Sequence, residues 1–264
     1  MKIPFAQMRS CNELKNYMVN KLGVIKVKKV LSLLYIASFV VMISACTTEK
    51  KITAQSLFDQ YIVASYGDKG LESFNSMTMH GEMDIDNGNF VAPYVVKQMK
   101  PDHRQFETNM MGTIIGGGCS GENCWRRGPF SDLEMLKGED LAFERNQADF
   151  YKLSHMDKYY RSLEIVKGLN DETSDTYQVD GIRKNGRHDI YIFSKKSKML
   201  VTIIFNSKQD DQTKITVHHS DYKDFNGVMF PTKIENLAQG STMTMKVDKL
   251  EFDKLNTDDF AIPE

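Results

Sequence analysis

Two cysteines and the only tryptophan of the chain lie together in residues 119–125, which read CSGENCW. Thiolates at this spacing can contribute to a metal site, exchange as a redox pair, or close a disulfide across a tight loop. A tetrahedral metal site needs two further ligands, which the segment does not contain. The choice depends on the compartment that the protein enters, because disulfides persist where the surroundings are oxidising.

The N-terminal region has the pattern of an export signal. Residues 30–43 form an apolar run after Lys26, Lys28 and Lys29, and the run is shorter than the ~20 residues of a membrane-spanning helix. It ends in small residues before Cys46, which resembles the lipobox of bacterial lipoproteins. We therefore predict a lipoprotein signal peptide over residues 1–45, the alternative being a signal anchor that contains a cysteine. Met1 and Met18 are both candidate start residues.

Acylation of Cys46 would attach the protein to a membrane. Each buried methylene contributes about 0.8 kcal/mol, so several acyl chains would hold the protein on a bilayer. Thr47 follows the cysteine in place of an aspartate, which by analogy with enteric bacteria favours the outer membrane over the inner one. We predict a lipidated tether over residues 46–52 and a location in the bacterial cell envelope, at the outer membrane and facing the periplasm.

Removal of residues 1–45 leaves 27 basic and 34 acidic residues in a chain of 219. This acidic balance and the lack of a Lys/Arg-rich stripe predict no nucleic-acid partner. Cys119 and Cys124 are then the remaining pair, because Cys11 leaves with the signal and Cys46 carries the lipid.

An even pair in an exported chain favours a disulfide over free thiols, a metal site or a redox pair. Gly121 and Asn123 would supply the turn between the two cysteines. The predicted role of the disulfide is that of a clamp, which holds Trp125 at the start of a strand.

No pattern in the sequence suits catalysis or metal binding. His218 and His219 are adjacent on a predicted strand, so they point to opposite faces, and no HExxH motif is present. The glycines at 116–118 lack the GK[ST] ending of a phosphate-binding loop. We therefore expect no enzymatic activity, no metal and no cofactor.

The elements follow from the periodicity of apolar residues. Helical spacing over residues 53–67, ended by Gly67, predicts an amphipathic helix, and residues 136–149 also favour a helix. From residue 77 the period changes to two, and Asp86-Asn87-Gly88 predicts a hairpin. About ten or eleven antiparallel strands predict an α+β domain over residues 53–264, with one large, strongly curved sheet covered by helices.

Three stretches carry a family pattern: ASYG at 64–67, LESFNSMTMHG at 71–81 and SDYKDFNGVMFPTKI at 220–234. They resemble the LolA/LolB-like family of periplasmic lipoprotein carriers. The resemblance implies an incomplete β-barrel whose concave face, covered by helices, holds acyl chains. The carriers proper use an Arg inside that cavity to hold a bound state, and this Arg cannot be assigned to a position in this sequence. Relatives often have a DG…W turn where this chain has residues 119–125.

Apolar side chains give the positive signal for a binding site. Methionine is flexible and polarisable, which suits surfaces that adapt to a ligand. The candidates for a cavity wall are Met77, Met79, Met83, Phe90, Tyr94, Phe106, Met110 and Trp125. The alternative is that these residues form an ordinary core.

Two functions are therefore expected. The first is binding of a lipid, an acyl chain or a lipidated protein in lipoprotein or lipid trafficking to the outer membrane. The alternative is a non-enzymatic envelope sensor or structural subunit that has a filled cavity and binds a protein partner.

Overall fold

In the computed structural model, the described residues are 52–110, 112–166, 174–207 and 213–263. They belong to one compact unit that begins at Ile52. The predicted signal peptide, Cys46 and nearly all of the predicted tether lie outside the described residues, so these three assignments stay predictions. No helix in the described ranges has the length and apolarity to cross a membrane.

The described residues form one open, curved antiparallel sheet with two α-helices, which confirms the predicted α+β class. The strands are β1 (Ser76–Ile85), β2 (Phe90–Met99), β3 (His103–Met110), β4 (Thr113–Ser120), β5 (Asn123–Arg127), β6 (Glu134–Met135), β7 (Tyr160–Ile165), β8 (Thr176–Arg183), β9 (His188–Ser194), β10 (Leu200–Asn206), β11 (Lys214–Phe225), β12 (Val228–Ala238) and β13 (Ser241–Phe252). The prediction of ten or eleven strands was too low, because the described part contains thirteen. β6 has only two residues, which is too short to show any alternation.

The strand order is β6-β5-β4-β3-β2-β1-β13-β12-β11-β10-β9-β8-β7. Every neighbouring pair is consecutive in the chain except β1 and β13. The two edges, β6 and β7, are also consecutive in the chain, so the segment between them passes from one edge of the sheet to the other. That segment contains the second helix.

The first helix, α1 (Ala54–Tyr66), confirms the prediction for residues 53–67. Thr53 and Ser56 form a capping box: the Ser56 amide donates to Thr53 Oγ1 at 3.2 Å, and the Thr53 amide donates to Ser56 Oγ at 2.9 Å. The helix ends at Gly67, whose φ of 73° lies in the left-handed region that favours glycine. The face of the sheet on which α1 packs is called the inner face below.

The second helix, α2 (Gly138–Ala148), lies within the range predicted to be helical, and Ala148 is its one buried residue. Two 3₁₀ turns, Lys152–Ser154 and Met156–Lys158, carry the chain on to β7. Among them Met156 is fully buried and packs with α1 in the core. The crossing segment is therefore anchored to the core after α2, while α2 itself contributes little to that core.

Candidate ligand-binding face

The strand register places most of the predicted cavity residues on one face. Met79 pairs with Val96, and Val96 pairs with Phe106, so these three side chains form a row across β1, β2 and β3. Side chains alternate along a strand, so the predicted residues at every second position from Met79, Val96 and Phe106 lie on the same face. The inner face thus brings together Met77, Met79, Met83, Phe90, Tyr94 and Phe106.

Four of these residues are part of a closely packed core. The exposed fractions of Met77, Met79, Met83 and Tyr94 are 7%, 7%, 4% and 1%. The four residues belong to one apolar cluster with residues of α1 and β13. In this conformation their contacts are made by the chain's own side chains, so a role in ligand binding stays a prediction.

Gly81 explains why Tyr94 is so deeply buried. Gly81 is the direct partner of Tyr94, and a Cβ at Gly81 would lie 2.9 Å from the tyrosine ring and 1.9 Å from the carbonyl oxygen of Lys246. The missing side chain lets the tyrosine ring lie across β1, where its hydroxyl donates to that same carbonyl at 3.3 Å. Tyr94 is therefore fixed by the backbone on which it lies.

The remaining two candidates do not join this group. Met110 ends β3, but its side chain lies outside the described part of the structure. Trp125 pairs with Gly118, whereas the inner-face residue Phe106 pairs with Gly117, so the tryptophan side chain points to the opposite face. Trp125 is buried there with an exposed fraction of 3%, although it also contributes to the wall of a cavity beside Phe106.

An apolar strip on the inner face is only partly covered. Its members are Ile85, Phe90, Phe106, Met243 and Met245, which pack against the core but remain partly exposed. Ile85 pairs with Phe90 of β2 and with Met243 of β13, and Met83 pairs with Met245, so this part of the strip is continuous across β2, β1 and β13, while Phe106 lies on β3 opposite Val96. This strip is the part of the inner face where an apolar ligand could make contact without displacing the core.

The predicted disulfide between Cys119 and Cys124 is present. The two cysteines are direct cross-strand partners with their Cα atoms 4.1 Å apart. Gly121, with φ 58°, is the first residue of the two-residue loop, a position where a type II′ turn takes glycine.

The buried sulfurs face α2 and not Trp125. They form a small apolar cluster with Leu136 and Ala148, against which Leu141 packs. Trp125 follows Cys124 directly and so points to the other face. The disulfide therefore joins the hairpin beneath α2, and its role as a clamp on Trp125 stays a prediction.

Charged side chains lie beside α2 on the same inner face. Arg104 precedes Phe106 by two residues and pairs with Cys119, and burial lowers its pKa while Glu144 of α2 acts in the opposite direction. Lys152 lies in the crossing segment, where burial and then Arg183 lower its pKa to about 8. Arg104 also lowers the pKa of Lys152, whereas Asp189 and Asp149 raise it, so both arginines lie within electrostatic reach of Lys152.

A buried carboxylate balances part of this charge. Arg183 Nε donates to Asp189 Oδ2 at 2.6 Å, and the side chain of Asp189 is 1% exposed. The Tyr160 hydroxyl also donates to Asp189 Oδ2, and the hydroxyls of Tyr160 and Tyr191 are 2.6 Å apart. Burial raises the pKa of both tyrosines, which therefore stay neutral.

Arg104, Lys152, Arg183 and Asp189 are charged residues of the inner face that were not predicted from the sequence. The sequence contained a signal for Arg104. It lies two residues before Phe106 in a strand with alternating faces, so its charged side chain is on the same face as the apolar Phe106. Within the described ranges, no group of three His, Cys, Asp or Glu side chains is arranged to hold a metal ion.

Comparison with solved structures identifies the fold. The chain is similar to a LolA superfamily protein from Nitrosomonas europaea, with a TM-score of 0.55, 12% identity, and coverage of 80% of this chain and 98% of that chain. It is also similar to a DUF1329 family protein from Desulfovibrio piger, with a TM-score of 0.57, 13% identity, and coverage of 79% and 97%. A third is a domain described as an outer membrane lipoprotein-sorting protein from Vibrio parahaemolyticus, with a TM-score of 0.54, 13% identity, and coverage of 78% and 95%.

At these identities the likeness shows the fold, which is the LolA-like fold implied by the sequence resemblance. No protein-family model matches the chain, and no curated protein matches it.

Proposed function

We propose that the protein is a lipid-anchored protein of the bacterial envelope that binds a lipid, an acyl chain or a lipidated protein on the inner face of its sheet. The observation that carries the proposal is the apolar strip, whose methionine and phenylalanine side chains are partly exposed on the inner face of an open, curved sheet. The LolA-like fold supports it, as does the description of the Vibrio parahaemolyticus domain as a lipoprotein-sorting protein.

Binding would be non-covalent and would follow apolar burial. An acyl chain of about twelve methylenes would contribute roughly 10 kcal/mol gross, before the costs of association. Met243 and Met245 can adapt to such a chain, because an unbranched thioether side chain changes rotamer readily. α2 would move to admit it, since only Ala148 of that helix is buried.

The anchor is tested by metabolic labelling with an alkyne fatty acid. We expect the label on the wild-type protein and its loss in the full-length Cys46→Ala variant. Undiminished labelling of the variant, or an unlabelled wild-type protein that still sediments with membranes, would show that Cys46 is not the anchor.

Ligand binding is tested by native mass spectrometry after extraction of the full-length protein in mild detergent. We expect lipid adducts on the wild-type protein and uptake of a fluorescent fatty acid. Met243→Asp should reduce both, because a carboxylate in the apolar strip would have to be desolvated beside the acyl chain. The matched control is Met135→Asp, at an exposed residue of β6. A wild-type protein without adducts or uptake would overturn the proposal.

A second function is favoured by the packing of Met77, Met79, Met83 and Tyr94, which fill their part of the inner face. In that case the protein would act as an envelope sensor or structural subunit through a protein partner. Methionine oxidation separates the two functions. Lipid binding predicts that a fatty acid protects Met243 and Met245 from peroxide, whereas a filled interior predicts that it changes nothing.

A further inference from the structure

A basic cavity lies between α2 and the hairpin that joins β8 and β9. Its volume is about 390 Å³, and its charged lining consists of Lys152, Lys158, Arg183, Lys184 and Arg187 opposite Glu139 and Asp140. The cations come from two separate parts of the chain, the crossing segment and the hairpin. The cavity therefore concentrates positive charge in a protein whose mature chain is acidic overall.

The partners of these groups leave the positive charge in excess. Asp140 is already ion-paired with Arg126, at 3.4 Å, and Arg183 is paired with the buried Asp189. Within the described residues, Lys152, Lys158 and Lys184 lie beyond ion-pair distance of any carboxylate. Lys152 instead has its ammonium 5.9 Å from the centre of the Tyr159 ring.

Lys152 is the most constrained of the three lysines. It is partly buried, and burial together with Arg183 lowers its pKa to about 8. An anion in the cavity would offset both effects, because it would add negative charge to that of Asp189 and Asp149, which already raise the pKa of Lys152. Side-chain amides of Asn146, Gln147 and Asn185 line the same cavity and can donate hydrogen bonds to oxygen atoms.

The cavity adjoins the apolar interior. Leu153, next to Lys152 in the same 3₁₀ turn, packs against both large apolar clusters of the inner face. A ligand with an anionic group among the lysines would therefore have its remaining atoms next to apolar side chains. This juxtaposition suits an amphipathic anion.

We propose that this cavity binds a phosphate oxyanion, with Lys152, Lys158 and Lys184 as its ligands. A phosphate presents several acceptor oxygens to ammonium and amide donors, in agreement with the groups around the cavity. The phosphate belongs to the headgroup of a glycerophospholipid whose acyl chains lie on the inner face. The assignment to a phospholipid rests on the proposed function, whereas the recognition of phosphate by the cavity does not. The same chemistry would also recognise free phosphate.

The test uses the full-length protein in dodecyl maltoside micelles and three probes. These are phosphatidylglycerol, diacylglycerol with the same acyl chains, and inorganic phosphate. Binding of the two lipids is measured by native mass spectrometry and binding of phosphate by titration calorimetry. We expect phosphatidylglycerol to bind about fivefold more tightly than diacylglycerol, and the preference to decrease as NaCl is raised.

The double variant Lys158→Gln/Lys184→Gln should abolish this preference without changing diacylglycerol binding. Both lysines are exposed, so the fold should not depend on them. Lys152→Met tests the site from its buried side and should have the same effect. The matched control, Lys214→Gln/Lys223→Gln, removes two exposed lysines outside the cavity and should leave the preference within about twofold of wild type.

The outcomes separate the two proposals. Equal binding of both lipids by the wild-type protein, or an unchanged preference in the variants, would overturn the phosphate site and leave lipid binding intact. A third outcome is that the wild-type protein binds inorganic phosphate but neither lipid, and that the double variant loses phosphate binding. This outcome would support the phosphate site and overturn the proposed lipid function. Absence of binding by all three probes would overturn both.

Discussion

α1 and α2 lie on the same face of one sheet but differ in how they are held. α1 buries Leu57, Phe58, Tyr61 and Ile62 in the two large apolar clusters, whereas the buried residue of α2 is Ala148. α2 is held by the small cluster around the disulfide, by ion pairs at its exposed start and by charged neighbours. α1 therefore belongs to the core, whereas α2 contributes its one buried residue, Ala148, to the small cluster around the disulfide.

The largest difference should appear on removing one aromatic ring from each helix. Phe58 is fully buried, with its ring edge-to-face against Tyr191 and Phe193, so Phe58→Ala should lower the free energy of unfolding by about 3–5 kcal/mol. Phe143 of α2 is only partly buried, with the Arg183 guanidinium 5.9 Å from its ring centre, so Phe143→Ala should cost roughly 1 kcal/mol. Urea denaturation measures both. Equal losses would contradict the distinction.

Removal of the disulfide should act on α2 more than on α1. Cys119→Ala/Cys124→Ala should cost about 2 kcal/mol, because the closed loop is short. Hydrogen exchange followed by mass spectrometry should show faster exchange of the α2 amides and little change in α1 below the global unfolding limit. If both helices responded equally, the disulfide would be supporting the whole fold and not the hairpin under α2.

Lys152 should make the stability of the α2 side depend on pH. Its pKa in the folded protein is about 8, below the usual value of ~10.4, so between these values the unfolded chain binds more protons and stability rises with pH. At pH 7 Lys152→Met should therefore be more stable than wild type by roughly 1–3 kcal/mol. Urea denaturation from pH 7 to pH 10 should show this advantage decreasing. An advantage independent of pH would rule out the charge as its cause.

The smallest effect is expected for Arg126. Its Nε lies 3.0 Å from Glu134 and its Nη1 lies 3.4 Å from Asp140 of α2, but its side chain is 55% exposed. Solvent screens such pairs, so Arg126→Ala should lower the free energy of unfolding by less than about 1 kcal/mol. The loss should disappear in 1 M NaCl. A loss of several kcal/mol would mean that α2 is held by its ion pairs.

Local patterns in the sequence were enough for most elements. The spacing of apolar residues and Gly67 defined α1, and Asp86-Asn87-Gly88 forms the turn between β1 and β2 as predicted, with positive φ at all three residues. These features depend on neighbours in the chain, so they can be recognised without the tertiary structure. The two-residue strand β6 has no such pattern and depends on its pairing with β5.

The site was harder to predict because it depends on contacts between distant strands. Trp125 could have been assigned correctly, since a disulfide between direct hairpin partners places Cys119 and Cys124 on one face and the next residue on the other. Lys152 and Arg183 come from different segments and meet only because the chain crosses from β6 to β7. No spacing in the sequence contains that information.

The pairing of β1 with β13 has a consequence for the order of folding. Every other pair in the sheet joins consecutive strands and can form as a local hairpin. The pairing of β1 with β13 instead brings together residues far apart in the chain, such as Met77 and Phe252. Closing so long a loop has a high entropic cost, so we expect this central pairing to be the slow step of folding. Until residues 241–252 have been synthesised, β1 and β12 present unpaired backbone groups in the middle of the future sheet. A growing chain would therefore be most prone to associate with other copies after β12 has been synthesised and before β13 can pair.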